Sequence, residues 1–496
     1  MNRTIKNIFY VFTSATLAKL IGAVTALILP KLLDPGNYGA WVMLLLVISY
    51  APIVALGTVE ALLRQYPYYI GRGESVKARE CEESVLGSIC LTALFLIICG
   101  IFSSLIIADT GLIAYRQEIT LIFFTAAISS FSQFYYFRYA AHQIFKAFSI
   151  LDTLRAIVNL LFVCVFAWLW GLKGAVIGYL LVEVIVCISS GILSIHQCGN
   201  VRIRFDREGI WEAIKIGFPI TIIWWALTLQ SSVDRVVSSS FLGKEMTGYY
   251  GLGISIVSMM VLIPRTVNRV LYPRINEEMG KNTGVPQLAK FVISPVRILS
   301  LFIPLFIGSL IIILPTVYKF VFPKYYQGMP SAQILLIGFF FASLIGNGTN
   351  YLIAKNKQRI IFIFVLICLI FNVASAIYLV SIGLSIVGVA VSTCLTSALL
   401  ATLIWRLALQ YLEYNTLEQW RGIAEIYSPI FLMAFLFFIY LTIFPEFIRS
   451  TGIMSLVYSL IFSITYLLVI IFLPPFNKKC REIYDLFKLH LSSVNP

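Results

Sequence analysis

Residues 154–195 read LRAIVNLLFVCVFAWLWGLKGAVIGYLLVEVIVCISSGILSI. Two apolar runs, 154–170 and 174–195, flank the short segment Gly171-Leu172-Lys173-Gly174. A bilayer core about 30 Å thick is crossed by roughly 20 helical residues, so each run is long enough to span it. Glycine supplies the tight turn between them. The stretch is therefore read as a transmembrane helical hairpin.

The same texture fills the chain. Apolar runs at 8–33, 40–63, 85–108, 119–137, 154–170, 174–195, 214–241, 248–271, 291–316, 331–353, 360–380, 384–409, 425–444 and 452–473 predict about fourteen transmembrane helices. Only 12% of the 496 residues are charged and 59% are hydrophobic, with a mean hydropathy of +0.91. Aqueous domains carry roughly a quarter charged residues, so a soluble protein is excluded. The period-2 alternation of a membrane β-barrel is absent, which leaves an all-α integral membrane fold. The first run contains Lys19 and lacks an A-x-A site, so it is expected to be a retained helix rather than a cleaved signal.

The net charge of +14 is distributed by loop. Arg64, Arg72, Lys77, Arg202, Arg204, Lys355, Lys357, Lys478 and Lys479 fall on one side, and Lys31, Arg116, Lys173, Lys244 and Arg449 on the other. The count is roughly 28 against about 7, which predicts both termini in the cytoplasm. A nucleic-acid partner would need the basic residues gathered on one soluble face, and none is expected. The nine cysteines are scattered, without C-x-x-C or Cys/His spacing, and are read as small buried residues. His142, His196 and His490 are too far apart in sequence to suggest a metal or triad cluster.

The chain also repeats. Leu33-Asp-Pro-Gly-Asn-Tyr-Gly39 follows the first helix and Leu242-Gly-Lys-Glu-Met-Thr-Gly248 the seventh, an offset of 209 (248 − 39). Asn159 and Asn372 are 213 apart (372 − 159), and Gly171 and Gly383 are 212 apart (383 − 171). Repeats of six helices enter the membrane the same way up, giving a parallel repeat about an axis along the membrane normal. The expected organisation is a six-helix lobe at 1–195, a cytoplasmic linker at 196–213, a second six-helix lobe at 214–409, and two further helices with a basic tail at 410–496.

On these residues the chain resembles the multidrug/oligosaccharidyl-lipid/polysaccharide exporter superfamily. Its polysaccharide-transporter branch, the Wzx-type O-antigen and capsule flippases, carries L-x-P-x-x-Y-G after helix one, matched by Leu33-Asp34-Pro35-Gly36-Asn37-Tyr38-Gly39. The second-lobe pattern D-R…L-G…G-x-Y is matched by Asp234-Arg235, Leu242-Gly243 and Gly248-Tyr249-Tyr250. The resemblance implies two bundles facing each other in a V, a central cavity and alternating access. It implies as substrate a polyprenyl-diphosphate-linked oligosaccharide, destined for O-antigen or capsule.

Moving a diphosphate through a bilayer requires cations in a wet cleft, because a bare buried phosphate is very costly. Lys19 lies about 16 Å into the first helix, near the midplane, and is a candidate diphosphate contact or a partner for Glu183. Asp234-Arg235 lies about 12 Å below the outer surface. Arg235 is a candidate substrate ligand and Asp234 a candidate for ion coupling, with an internal salt bridge as the structural alternative. Arg64 and Arg269, near the inner ends of helices two and eight, would attract a diphosphate at the cytoplasmic mouth. The lipid II flippases place cations on helices one, two and eight, and Lys19, Arg64 and Arg269 match that placement by helix. Glu183, near mid-membrane, is a second candidate for ion coupling, since a buried carboxylate can carry a proton. Glu60 precedes Arg64 by four residues, and an intrahelical pair is the plainer reading. Phe134-Tyr135-Tyr136-Phe137 is read as an interfacial aromatic belt, and Trp224-Trp225 as deeper.

No G-x-x-x-x-G-K-[ST] run is present, which excludes a P-loop pump. The longest outer loop, 317–330, holds no Asp, Glu or His, which argues against a membrane glycosyltransferase or polymerase. A cation-coupled multidrug exporter of the same superfamily is the main alternative, and the basic intramembrane residues favour an anionic substrate over it. No enzyme activity and no cofactor are expected beyond coupling to a proton or sodium gradient. The expected partners are the lipid-linked glycan, membrane lipids and polysaccharide polymerase machinery, with the chain acting as a monomer in the inner membrane.

Overall fold

The computed structural model describes residues 3–106, 115–261, 264, 285–443 and 452–472. Every regular element among them is helical. The chain divides into two compact units, Met1–Gly251 and Leu252–Pro496.

The first unit holds α1 (Arg3–Leu32), α2 (Pro35–Val54), α3 (Thr58–Gly71), α4 (Ser75–Ile106), α5 (Arg116–Ala141), α6 (Phe145–Cys198), α7 (Arg207–Gln230) and most of α8 (Val233–Met260). Asp34 caps α2, its carboxylate accepting from the Asn37 amide at 2.7 Å, and Pro35 fills the first helical position where no amide proton is needed. The single helix expected at 40–63 is broken. Leu56 and Gly57 take φ of 51° and 84°, separating α2 from α3. The break lets α7 approach closely: a Cβ on Gly57 would lie 2.4 Å from the Gly217 carbonyl carbon, and one on Gly217 would lie 1.8 Å from the Gly57 oxygen. The helix expected at 214–241 is also interrupted, at Ser231-Ser232 between α7 and α8. The Ser232 hydroxyl there is hydrogen-bonded to the Tyr50 hydroxyl of α2.

At 54 residues, α6 would be about 80 Å long if continuous, more than twice the hydrocarbon thickness. It is a hairpin. Trp170 and Gly171 leave helical geometry, Gly171 at φ 60°, ψ −137°. The two arms then run back against each other, with Gly174 facing the Phe166 carbonyl and Gly178 the Phe162 carbonyl. The expected turn at Gly171 is thus where the chain reverses.

The second unit holds α9 (Val285–Thr316), α10 (Met329–Ala354), α11 (Gln358–Leu379), α12 (Ser385–Tyr411), α13 (Thr416–Ile443) and α14 (Ile453–Phe472). Residues 317–330 are compact, a π-turn at Val317–Val321 followed by a 3₁₀ turn at Pro323–Gly328. Buried polar tips are satisfied by backbone: Trp405 Nε1 donates to the Leu344 carbonyl at 2.9 Å and the Tyr466 hydroxyl to that of Leu301 at 3.0 Å.

Helices α11 and α12 repeat the α6 hairpin. Ser385, at φ 49°, ψ −141°, has the backbone geometry of Gly171, 214 residues earlier (385 − 171). Gly388 faces Leu379 as Gly174 faces Phe166. The offset is 213 before the turn (379 − 166) and 214 after it (388 − 174). The extra residue is absorbed by a π-turn at Val380–Leu384. The sequence offset of 212, from Gly171 to Gly383, therefore pairs two turn glycines that are not geometric equivalents. A second repeat contact is reciprocal: a Cβ on Gly39 would meet the Lys244 carbonyl at 1.8 Å, and one on Gly248 the Pro35 carbonyl at 1.8 Å. Both partners are shifted by the same 209 residues (244 − 35 and 248 − 39), the signature of a local two-fold relation.

Nine helices among the described residues are long and apolar enough to cross a membrane, and two of these nine are the 54-residue hairpins. The outward faces are apolar. On α4, Leu91, Leu94, Phe95, Ile98, Ile101, Phe102 and Leu105 are exposed at three- and four-residue spacing, a stripe that fits lipid and not water. The protein is an all-α, multi-pass membrane protein with internal repeats.

Candidate functional site

Intramembrane charge locates the site, because each such group must be paired or wet. Glu183 is completely buried in the second arm of α6. Its partner is Arg155 of the first arm, with Nη1 and Nη2 each 3.0 Å from a carboxylate oxygen. The Nη2–Oε2 contact is a charge-assisted hydrogen bond, whereas Oε1 is close to Nη1 but accepts no hydrogen bond. The guanidinium also lies over the Tyr136 ring of α5, 5.4 Å from its centroid. Ser132 and Tyr179 stand beside the carboxylate, and Trp41 of α2 meets Tyr179 edge-on at 5.9 Å. The sequence reading found Glu183 and missed Arg155, which sits two residues into an apolar run and looked like its boundary. Phe134 is fully buried in the core of the first unit and Tyr136 stacks on Arg155, so this run is an internal packing element and not an interfacial belt.

Asp234 is buried at the start of α8. It accepts from the Tyr250 hydroxyl at 2.9 Å and the Arg235 amide at 2.8 Å, and the Arg235 Nε is 3.7 Å away. Arg235 is half-buried and donates to the Ser231 carbonyl at 2.5 Å. The adjacent pair thus interacts, because Arg235 folds back over the break between α7 and α8.

Lys19 is exposed on α1, the helix that packs along α6. Arg64 is exposed on α3. Glu60 turns to Thr221 of α7 and does not pair with Arg64. Arg269 lies outside the described residues. The structure therefore joins Glu183 to Arg155 and Asp234 to Arg235, and leaves Lys19 and Arg64 on separate helices. At the kink of α8 beside Gly243, Lys244 donates to the Tyr115 hydroxyl at 2.6 Å. That bond, with the Asp34 carboxylate nearby, holds its ammonium above the ordinary lysine value.

A further buried cluster lies where α4, α5 and the end of α6 meet. Arg138, 1% exposed, donates to both Glu82 oxygens at 3.3 and 3.2 Å, to the Ser194 hydroxyl at 2.6 Å and to the carbonyls of Cys198 and Gly199. His142 bonds Glu82 through Nε2 and faces the Tyr66 hydroxyl at 3.2 Å through Nδ1. With every guanidinium nitrogen bound to protein, this is a clamp on helix ends. The linker is fastened beside it: Arg204 pairs with Glu80 at 2.9 Å, and its carbonyl occupies the space of a Cβ on Gly87. Among the described residues, no group of three His, Cys, Asp or Glu side chains is arranged to hold a metal ion.

The described residues form a multi-pass helical bundle with repeated hairpins and an intramembrane arginine–carboxylate pair. The model of the family described as polysaccharide biosynthesis protein matches residues 4–279, more than half of the chain, and the protein belongs to that family. A putative O-antigen transporter of Shigella flexneri is 23% identical over 395 residues, covering 72% of this chain and 86% of the relative. Among solved structures, the lipid II flippase MurJ in an inward closed conformation superimposes with a TM-score of 0.72 at 15% identity, covering 93% of this chain and 98% of that one. An inward-facing multidrug resistance MATE family transporter of the MOP superfamily gives a TM-score of 0.66 at 12% identity, covering 80% and 94%. The fold is shared with both of these transporters.

Proposed function

We propose that the protein is a flippase that moves a polyprenyl-diphosphate-linked oligosaccharide across the cytoplasmic membrane by alternating access, for surface polysaccharide synthesis. Membership of the polysaccharide biosynthesis family carries this reading. The O-antigen relative and the fold shared with a lipid II flippase support it. A cationic side chain placed where an intramembrane anion would need one, Arg155, fits the same substrate class.

The proposed topology has fourteen crossings. Each 54-residue hairpin counts as two, α2 with α3 as one, and α7 with the start of α8 as one. Both termini are cytoplasmic by the loop charge, and the repeat units are 1–195 and 214–409 with the linker at 196–213. Lys19, Arg64, Arg235 and Arg269 are proposed substrate contacts, and Asp234 and Glu183 proposed sites for coupling to a proton or sodium gradient. Polymerase machinery is the proposed downstream partner.

A deletion strain tests this. Lipid-linked oligosaccharide is expected to accumulate in the inner leaflet while surface glycan is lost, with both reversed by the intact gene. Normal surface glycan together with altered sensitivity to cationic drugs would transfer the protein to the multidrug branch.

A further inference from the structure

The two hairpins correspond through their turn geometry and glycine contacts, so what one lacks shows what the other does not need for packing. With the offset of 213 before the turn and 214 after it, Arg155 corresponds to Cys368 (368 − 155) and Glu183 to Ser397 (397 − 183). Cys368 is fully buried in α11. Ser397 bonds its own helix at the Thr393 carbonyl, 2.9 Å away. The second hairpin is held instead by Ser392, which donates to the Asn372 side chain at 2.8 Å and meets the Ser375 hydroxyl at 2.6 Å. A neutral pair therefore suffices to close this hairpin. An intramembrane ion pair is expensive, and its presence in one copy calls for a use.

The geometry points to Arg155 and Glu183 as an anion-exchange site, in which a phosphate group displaces Glu183 from Arg155 and Glu183 takes up a proton from water. The inference rests on the proposed transport of a diphosphate-linked substrate. Accessibility sets the roles: the Arg155 side chain is 31% exposed and that of Glu183 0%, so an incoming anion reaches the guanidinium first. Exposed Ile157, Leu161, Val165 and Trp168 mark an apolar face of this arm, and Arg155 lies roughly 80–160° around the helix from them, off the centre of that face. Its Nε is buried, and the guanidinium lies over the Tyr136 ring, so the exposed part that meets an anion is the Nη end. Guanidinium matches phosphate and carboxylate equally in shape, which makes the exchange a swap of like acceptors.

A buried carboxylate that loses its cation becomes neutral, so anion binding and protonation are linked. The proton goes from water to a Glu183 oxygen and returns when the anion leaves. The groups around the pair are Ser132 and Tyr136 from α5, Tyr179, Cys187 and Asp152 from α6, and the uncharged Trp41 from α2, which meets Tyr179; α1, which packs along α6, carries Lys19.

The probe is inorganic pyrophosphate, titrated against the purified full chain in detergent across a pH series. The wild type is expected to bind more tightly as pH falls, by up to about tenfold per pH unit for one linked proton. Glu183→Gln removes that linkage and binds at least as tightly as the wild type at every pH. It reports the ligand's own titration, so the difference between the two proteins isolates Glu183. The double variant Arg155→Cys/Glu183→Ser installs the residues of the second hairpin and is expected to keep the melting temperature and lose binding. Wild-type binding in the double variant overturns the site. A collapse of its melting temperature, or lost binding in Glu183→Gln, overturns it in favour of a structural clamp. In the deletion strain, failure of the wild type to restore surface glycan strikes the transport reading itself. Restoration by both wild type and double variant strikes only the exchange site.

Discussion

The hairpin at 145–198 and the hairpin at 358–411 share a turn geometry, a glycine contact across the turn and an antiparallel register, yet they are held by different chemistry. The first is joined by a buried ion pair and the second by a chain of hydroxyls on Asn372. Shared backbone with divergent polar content separates what the fold requires from what is added to it. The fold requires close approach at the turn. An ion pair between the arms is added to one copy only.

Breaking the pair from one side tests that separation most severely. Arg155→Ala leaves Glu183 buried and unpaired, and is expected to destabilise by about 3–5 kcal/mol, read as a loss of melting temperature in detergent. The matched change in the other copy, Cys368→Ala, removes a single buried sulfur and is expected to cost far less. Equal losses would mean that both positions are packing positions. Next in size is the turn contact. A Cβ on Gly174 would sit 1.8 Å from the Phe166 carbonyl oxygen, whereas one on Gly388 would sit 2.9 Å from Leu379 Cβ. Gly174→Ala is therefore expected to cost about 1–3 kcal/mol and Gly388→Ala less, because its approach to Leu379 is less close. The smallest effect is expected from Ser392→Ala, about 1 kcal/mol from lost hydrogen bonds, with transport intact. Lost transport in a well-folded Ser392→Ala protein would place function in the second hairpin as well.

The turn at Gly171, the apolar runs and the existence of an internal repeat were legible because glycine spacing and hydropathy are local properties of the chain. The breaks at Gly57 and Ser231-Ser232 were not, because they answer to backbone packing between α3 and α7 and to the Tyr50–Ser232 bond between distant segments. Glu183 was legible as an acid inside an apolar run. Arg155 was hidden at the edge of one, where a positive residue reads as a membrane boundary. Setting 145–198 against 358–411 at an offset of 213 would have exposed it, since the opposing residue is a cysteine. Arg138 and His142 were overlooked for a related reason: their partner, Glu82, lies on another helix, and spacing along the chain gives no hint of it.

Reconstitution of the purified chain into liposomes, with a fluorescent polyprenyl-diphosphate oligosaccharide in one leaflet, tests the transport claim directly. Wild-type protein should equilibrate the lipid between leaflets, and Arg155→Cys/Glu183→Ser should do so far more slowly at equal incorporation. Liposomes in which the wild type leaves the labelled lipid in its original leaflet, while a cationic dye crosses under a proton or sodium gradient, would contradict a lipid-linked glycan flippase.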